Sequence, residues 1–160
     1  MRKQRGFSLI ELLIVVAIIL VLASIAIPSL LRSRISANEA SAVASIRTIN
    51  TAQVTYAVTY PDTGFASDLV QLGMPPGSAL PSSAASGLLD WVLGCATQPC
   101  PKQGYLFSIG NIQGTPVSYY TINAIPAAPG QTGYRGFCSD QLSHVSYDVS
   151  GGTNCTKDIQ

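Results

Sequence analysis

The stretch Arg5-Gly6-Phe7-Ser8-Leu9-Ile10-Glu11, together with the apolar run that follows it to Ile27, decides how this chain is organised. From Leu12 to Ala23 every residue is apolar. The 21 residues from Phe7 to Ile27 would form about 31 Å of helix at about 1.5 Å per residue, which matches the roughly 30 Å hydrocarbon core of a bilayer. The run therefore predicts a membrane-spanning helix.

Glu11 is the one charged residue within this run. An unpaired carboxylate is costly in lipid, so an acid in such a segment marks a functional site by default. If the chain is cut between Gly6 and Phe7, the new α-amino group of Phe7 lies one helical turn from Glu11. That amine, in the same chain or in a neighbouring copy, is the expected partner of the carboxylate.

The segment Gly-Phe-Ser-Leu-Ile-Glu followed by an apolar helix resembles the N-terminus of the type IV pilins and the related pseudopilins. The resemblance implies that a prepilin peptidase cuts between Gly6 and Phe7 and that Phe7 is then N-methylated. It also implies that Glu11, as the fifth mature residue, acts in assembly. Pro28 falls where the family has its helix-bending proline, and the six-residue leader is of the short type IVa kind.

The first 27 residues also have a simpler interpretation. A basic start, an apolar run and the sequence Ser24-Ile25-Ala26 are compatible with a secretory signal peptide cut after Ala26, or with an uncleaved anchor. The acidic residue within the run and the length of the run both argue against the signal peptide.

The charge distribution indicates which side of the membrane the rest of the chain occupies. Charged residues make up 11% of the 160 residues, against about 25% in soluble domains. Arg2, Lys3 and Arg5 in the leader favour a cytoplasmic N-terminus, which leaves the remainder outside. Without the leader, the chain has 6 basic and 8 acidic side chains, and we expect no nucleic-acid binding.

Beyond Pro28, residues 29–60 contain no glycine or proline and predict an amphipathic continuation of the helix. Its expected apolar stripe consists of Leu31, Ile35, Ala42, Ile46, Ile49, Tyr56 and Tyr60. The predicted organisation is a cleaved leader over residues 1–6, a long helix over 7–60 with a membrane and assembly half over 7–27, and a globular head over 61–160. So long a helix cannot be buried in so small a head, so lipid or other copies must cover its first half.

The head is predicted to combine a connecting loop with a small antiparallel sheet. The loop, residues 61–104, is rich in glycine, proline and serine, with short helical pieces expected at 67–72 and 83–93. Aromatic and β-branched segments between 105 and 147 predict a sheet of three or four strands, at 105–109, 117–122, 134–138 and 145–147. The predicted fold class is α+β, with the sheet packed on the amphipathic half of the helix, which is also what the pilin resemblance implies.

The four cysteines are typical of disulfides formed outside the cytoplasm, and they permit three pairings. Cys95–Cys100 with Cys138–Cys155 is favoured because each pair is local and closes a loop, although the sequence does not decide between the pairings. A redox role for the first pair would require a Cys-x-x-Cys spacing, which is absent. The resemblance implies that the disulfide-bounded region 138–155 is an exposed and variable surface.

No pattern in the sequence indicates catalysis or a cofactor. The sequence contains one histidine, His144, and it has neither a Gly-x-Ser-x-Gly motif nor a Walker loop. The pseudopilin resemblance suggests Asp140 and Asp148 as contributors to a Ca²⁺ site, but there is no dense cluster of acids, so no metal is expected. We predict a protein that is not an enzyme and binds no cofactor.

These features together predict a type IV pilin, a structural subunit of a helical extracellular filament or fimbrium. The resemblance implies an inner-membrane precursor, and it implies prepilin peptidase, the inner-membrane pilus assembly machinery and identical subunits as partners. The alternatives are a pseudopilin of a type II secretion system and, from another class, a secreted or membrane-anchored binding domain. Twitching motility and cell adhesion are both roles that the sequence leaves open.

Overall fold

The computed structural model describes residues 7–77 and 79–159, so the leader, with Arg2, Lys3, Arg5 and the Gly6 side of the cleavage site, lies outside the described residues. Helix α1 runs from Leu9 to Thr59, close to the predicted bounds of 7–60. The chain divides into two compact units between Arg34 and Ile35. Helix α1 therefore contributes its first part to one unit and its second part to the other.

The exit from α1 is a tight turn that requires glycine. The backbone N–H groups of Thr63 and Gly64 donate to the Tyr60 carbonyl at 3.0 and 3.1 Å. Gly64 has a φ of +77°, and a Cβ added there would lie 2.2 Å from the carbonyl oxygen of Val117. Only glycine combines that conformation with so close an approach of two backbone segments.

Only one turn of helix forms within the connecting loop, as far as the structure describes it. Helix α2, Leu69–Leu72, is capped by Asp68, whose side chain accepts from the Val70 N–H at 3.1 Å. The predicted helix over 83–93 is wrong. There the N–H groups of Leu88 and Leu89 both donate to the Leu72 carbonyl, at 2.9 and 2.8 Å, and are not available for helical bonds.

Within the described residues, the head contains one antiparallel sheet in which each strand pairs with the next strand in sequence. Its six strands are β1 (Cys100–Lys102), β2 (Tyr105–Gln113), β3 (Tyr119–Pro126), β4 (Gly136–Asp140), β5 (Val145–Asp148) and β6 (Lys157–Asp158). The four predicted strands correspond to β2–β5, and the α+β class is confirmed. The predicted count of three or four strands was too low, and the sheet extends beyond 105–147 at both ends.

The two edge strands escaped prediction because they are too short to show an alternating pattern. Strand β1 has three residues with Pro101 in the middle, and it pairs with β2 across Gln103 and Gly104, which both have positive φ. Strand β6 has two residues, which pair with Ser146 and Tyr147. Both edge strands are therefore recognised by their backbone pairing with a neighbouring strand, because they are too short for their side chains to show a period.

The core of the head lies between the sheet and the second part of α1. The buried side chains of β2 and β3 alternate with exposed or half-buried ones, so that one face of each strand packs inward: Tyr105, Phe107, Ile109, Tyr120, Ile122 and Ala124. Helix α1 contributes Ala42, Ile46, Ile49 and Tyr56 to the same cluster. Of the predicted stripe, Leu31 is exposed and Tyr60 is half-buried. A helix on a sheet therefore forms the head, as predicted.

Candidate assembly site

The first part of α1 presents an apolar surface that no other described residue covers. From Leu9 to Leu31 its large apolar side chains are 47–81% exposed. Among the described residues, α1 alone is long and apolar enough to cross a membrane, and nothing in its most apolar window is buried. An apolar surface of this extent is not stable in water, so it requires lipid or protein from outside the chain.

Glu11 lies in the first turn of α1, at the end of this apolar surface. Its Oε2 accepts a hydrogen bond from the backbone N–H of Ser8 at 2.9 Å. Helix N-termini have free N–H groups and a positive dipole end, and both favour a carboxylate. Glu11 thus has a local partner in addition to the Phe7 amine expected from the sequence. Phe7 is 83% exposed.

Pro28 lies inside α1, and the helix is continuous through it. Because proline has no N–H, the carbonyl of Ser24 lacks its usual partner four residues on. The Ser24 hydroxyl donates to the Val21 carbonyl at 2.7 Å. Two exposed arginines, Arg32 and Arg34, follow and mark the end of the apolar surface.

The second part of α1 holds the head through polar side chains that the sequence did not reveal. Glu39 is 7% exposed, and its Oε1 accepts from the N–H groups of Tyr134 and Arg135 at 3.0 and 3.2 Å. Its Oε2 accepts two bonds from the Arg135 guanidinium at 2.8 and 2.6 Å. Burial raises the pKa of Glu39, but these hydrogen bonds and the Arg135 charge outweigh it and hold the pKa below its usual value.

Arg135 is itself held by aromatic side chains of the sheet. Its guanidinium lies 5.5 Å from the ring centroid of Phe137 and 5.2 Å from that of Tyr147. The Tyr105 hydroxyl donates to the Arg135 carbonyl at 2.8 Å, and burial raises the pKa of Tyr105. The ion pair therefore links α1 to the residue just before β4, and two aromatic rings of the sheet flank its guanidinium.

Two further buried side chains of α1, Asn50 and Gln53, also form hydrogen bonds with the rest of the head. Asn50 donates to the Ser139 hydroxyl at 2.8 Å and accepts from the Tyr120 hydroxyl at 3.2 Å. Burial raises the pKa of Tyr120 to about 12, so its hydroxyl stays protonated and can donate. Gln53 bonds both the carbonyl and the N–H of Ala66, at 2.9 and 2.8 Å. Both polar atoms of this amide thus have a partner, as burial requires.

The spacing of these polar residues was the signal that the sequence contained. Each lies four residues after a member of the apolar stripe, on the same helix face: Glu39 after Ile35, Asn50 after Ile46 and Gln53 after Ile49. A polar side chain on the buried face of a helix requires a partner across the interface. The sequence indicates that need, but it does not say which residue of the head meets it.

The structure contains two disulfides, and they are the two local pairs favoured among the three pairings. The Cα atoms of Cys95 and Cys100 are 5.6 Å apart, and those of Cys138 and Cys155 are 6.0 Å apart. The first bond closes the loop that leads into β1. The second ties the segment before β6 to β4.

The two aspartates considered for calcium are engaged by their own loops. Asp148 accepts from the N–H and hydroxyl of Ser150 at 2.8 and 2.7 Å and from the Asn154 N–H at 3.2 Å. The Ser150 bonds are the main reason that the pKa of Asp148 is lowered. Asp140 accepts from the Leu142 N–H at 3.0 Å. Across residues 7–77 and 79–159, no three His, Cys, Asp or Glu side chains are grouped to hold a metal ion.

Comparison with known proteins adds a family motif to this geometry. Residues 1–27 match the family model described as the prokaryotic N-terminal methylation motif. Over 39 residues the chain is 59% identical to the type IV wide pilus major component PilA4 of Thermus thermophilus. Over 54 residues it is 43% identical to the type IV major pilin protein PilA of Myxococcus xanthus.

These matches cover a minority of each protein. The first covers 24% of this chain and 30% of the Thermus protein, and the second covers 34% of this chain and 24% of the Myxococcus protein. No solved structure matches the chain. The similarity therefore concerns a short segment of this chain, 39 residues in one match and 54 in the other.

Proposed function

We infer that this relative of the type IV pilins, which carries a prokaryotic N-terminal methylation motif, is a structural subunit of a type IV pilus. The observation that carries the proposal is the exposed apolar surface of the first part of α1. The precursor resides in the inner membrane with its head outside. Prepilin peptidase cuts between Gly6 and Phe7, and the assembly machinery adds the methylated subunit to an extracellular filament.

The apolar surface has two environments in this scheme. Before assembly, acyl chains cover residues 7–27, because the run is long enough to span a bilayer. After assembly, the same side chains pack against the helices of identical subunits and remain out of water. The exchange from lipid to protein is possible because both surroundings are apolar, so little hydrophobic free energy is lost.

Glu11 gives this exchange its specificity. A carboxylate buried without a partner costs several kcal/mol. In the filament, the Phe7 amine of a neighbouring subunit pairs with Glu11, which otherwise has the Ser8 N–H as its partner. A subunit shifted along the filament axis would leave both charges unpaired, so the pair selects the correct register.

The names of the two relatives favour a pilus over a secretion pseudopilus, because one is called a major component of a type IV pilus and the other a type IV major pilin. They also favour a structural role without catalysis. Deletion of the gene distinguishes the two assemblies: a pilin deletion removes surface filaments, whereas a pseudopilin deletion blocks release of secreted proteins and leaves filaments intact.

Substitution of Glu11 tests the proposed register. We expect Glu11→Gln and Glu11→Ala to abolish filaments on sheared cells, seen by negative-stain microscopy, while precursor persists in the membrane fraction. Asp62→Asn is the matched control, since it removes one exposed carboxylate from the head and should leave filament yield unchanged. Normal filaments in the Glu11 variants would contradict the register role.

The mass of the mature subunit tests processing separately. We expect an N-terminus at Phe7 carrying one methyl group. An N-terminus at Ile27 would instead establish cleavage of a secretory signal peptide after Ala26 and remove the assembly helix from the proposal.

A further inference from the structure

Arg32 and Arg34 are the two charged side chains that directly follow the apolar surface of the first part of α1. Both are exposed, and within residues 7–77 and 79–159 neither forms an ion pair or a side-chain hydrogen bond. The nearest acid in the sequence is Glu39, whose carboxylate is already bound to Arg135. The two guanidinium groups therefore keep their N–H donors for a partner outside the chain.

The position of these arginines along α1 matches the thickness of a bilayer. Glu11 and Arg32 are 21 residues apart with no charged residue between them, which corresponds to about 32 Å of helix at about 1.5 Å per residue. The hydrocarbon core of a bilayer is roughly 30 Å thick. With Glu11 at the cytoplasmic boundary of that core, Arg32 and Arg34 lie at the opposite boundary, where the lipid headgroups begin.

The two arginines lie on different sides of the helix. Successive residues of an α-helix are about 100° apart, so Arg32 and Arg34 differ by about 200° around the helix axis. A protein partner docked on one side of the helix would meet one guanidinium and not the other. Lipid headgroups surround a membrane helix and can reach both. Long arginine side chains can also extend to the headgroups while their methylene groups stay on apolar surface.

Charge selects the chemical group that fits these side chains. Phospholipid headgroups present phosphates, whose oxygens match the planar fork of N–H donors of a guanidinium. No Asp or Glu occurs between Glu11 and Glu39 to compete for the two arginines. Anionic phospholipids add a net negative charge, which attracts arginines near the membrane surface. A phospholipid phosphate is therefore the partner that suits both the charge and the position of these residues.

We propose that Arg32 and Arg34 bind phospholipid phosphates in the leaflet on the side of the head. The contact fixes the depth of the helix, because a shift along the bilayer normal would carry either Glu11 or the arginines into the hydrocarbon core, where charged side chains are costly. The subunit thus resides at a defined depth before assembly, with Glu11 at the cytoplasmic boundary. This proposal rests on the proposed function, since it requires the precursor to reside in the inner membrane.

A solid-state NMR measurement of the distance between arginine Cζ and lipid phosphorus tests the contact. The full-length chain, labelled with ¹³C at arginine Cζ, is reconstituted into vesicles of phosphatidylcholine and phosphatidylglycerol in a buffer without phosphate, so that lipid supplies all the phosphorus. Arg32 and Arg34 should lie about 4–5 Å from phosphorus, as paired N–H···O bonds require. Arg32→Gln with Arg34→Gln should reduce the Cζ signal dephased by phosphorus by the share of two arginines out of six.

Arg47→Gln is the matched control, since Arg47 is exposed on α1 but lies 13 residues after Arg34. This variant should leave the dephased signal unchanged. Flotation with the vesicles measures membrane insertion separately. A chain that floats, and whose dephased signal is the same with and without the two arginines, would overturn the lipid contact alone. A chain that does not float with the vesicles would overturn the membrane residence of the precursor as well.

The preference for anionic lipid measures the strength of the contact. Spin-labelled phosphatidylglycerol should associate with the chain more strongly than spin-labelled phosphatidylcholine, and removal of each arginine should lower that preference about fivefold at low salt. Arg32→Lys with Arg34→Lys keeps both charges and should retain most of the preference. An unchanged preference in the glutamine variant, or an equal loss in the lysine and glutamine variants, would contradict recognition by charge and overturn the proposal.

Discussion

The two parts of helix α1 obtain their stability from different sources. Residues 9–34 are exposed almost throughout and contain one acid, Glu11, whereas the part from Ile35 to Thr59 has ten buried residues, four of them polar. The second part finds its partners in the head, in the core and through Glu39, Asn50 and Gln53. Within the described residues, the first part makes its contacts only between its own successive helical turns.

This difference separates folding from assembly. Substitutions in the second part of α1 should change the stability of the head, because their side chains pack within the chain. Substitutions in the first part should leave the head unchanged and act only where lipid or other copies are present.

A matched pair of isoleucines should give the largest contrast. Ile46 is fully buried, and Ile46→Ala should lower the free energy of unfolding by about 2–5 kcal/mol through lost burial and a residual cavity. Ile18 is 55% exposed, and Ile18→Ala should change it by less than about 0.5 kcal/mol. Urea unfolding of the full chain in detergent, followed by near-ultraviolet circular dichroism, measures both. A similar loss in both variants would mean that the two parts do not differ as described.

Removal of the disulfides should have the next largest effect. Cys138 and Cys155 are 17 residues apart, so the double serine variant should lose about 3 kcal/mol by the loop-entropy relation. Cys95 and Cys100 are 5 residues apart, and their double serine variant should lose about 2 kcal/mol. The same urea experiment ranks the two variants. The reverse order would show that native contacts of the loops outweigh chain entropy.

Glu39→Gln should cost about 2 kcal/mol, because it replaces charge-assisted hydrogen bonds to Arg135 at a buried position. The pKa of Glu39 is lowered by folding, so its contribution is complete above the unfolded value near 4.5 and is lost as the pH falls through the lower folded pKa. Stability measured against pH should thus decline less steeply below 4.5 in the variant. Glu11→Gln, in the exposed part, should leave the head's unfolding unchanged, and a loss there would contradict the separation.

The smallest effect is expected at Asn38, near the start of the second part of α1. Its Nδ2 donates to the Thr132 carbonyl at 2.9 Å, so Asn38→Ala should cost about 1 kcal/mol. Ser36→Ala, at an exposed position two residues earlier, serves as the control and should be neutral. Equal stability of both variants would show that this hydrogen bond does not stabilise the head.

Strands β2 and β3 were predictable because their aromatic and β-branched residues alternate over enough positions to show a period of two. The edge strands β1 and β6 were not, since two or three residues define no period. The segment 83–93 looked helical from its apolar residues, but its N–H groups pair with α2 instead. Local pattern fails where a segment's hydrogen bonds are made to a distant part of the chain.

The sequence by itself determined the apolar run of residues 7–27, the acid within it and the amphipathic continuation, because these depend only on residue type and helical period. The tertiary structure decided which polar groups of α1 meet which groups of the head, as in the contact of Glu39 with Arg135, 96 residues away. Those features require segments distant in sequence to be brought together, and the free energy of packing the whole head, which no local pattern encodes, sets that arrangement.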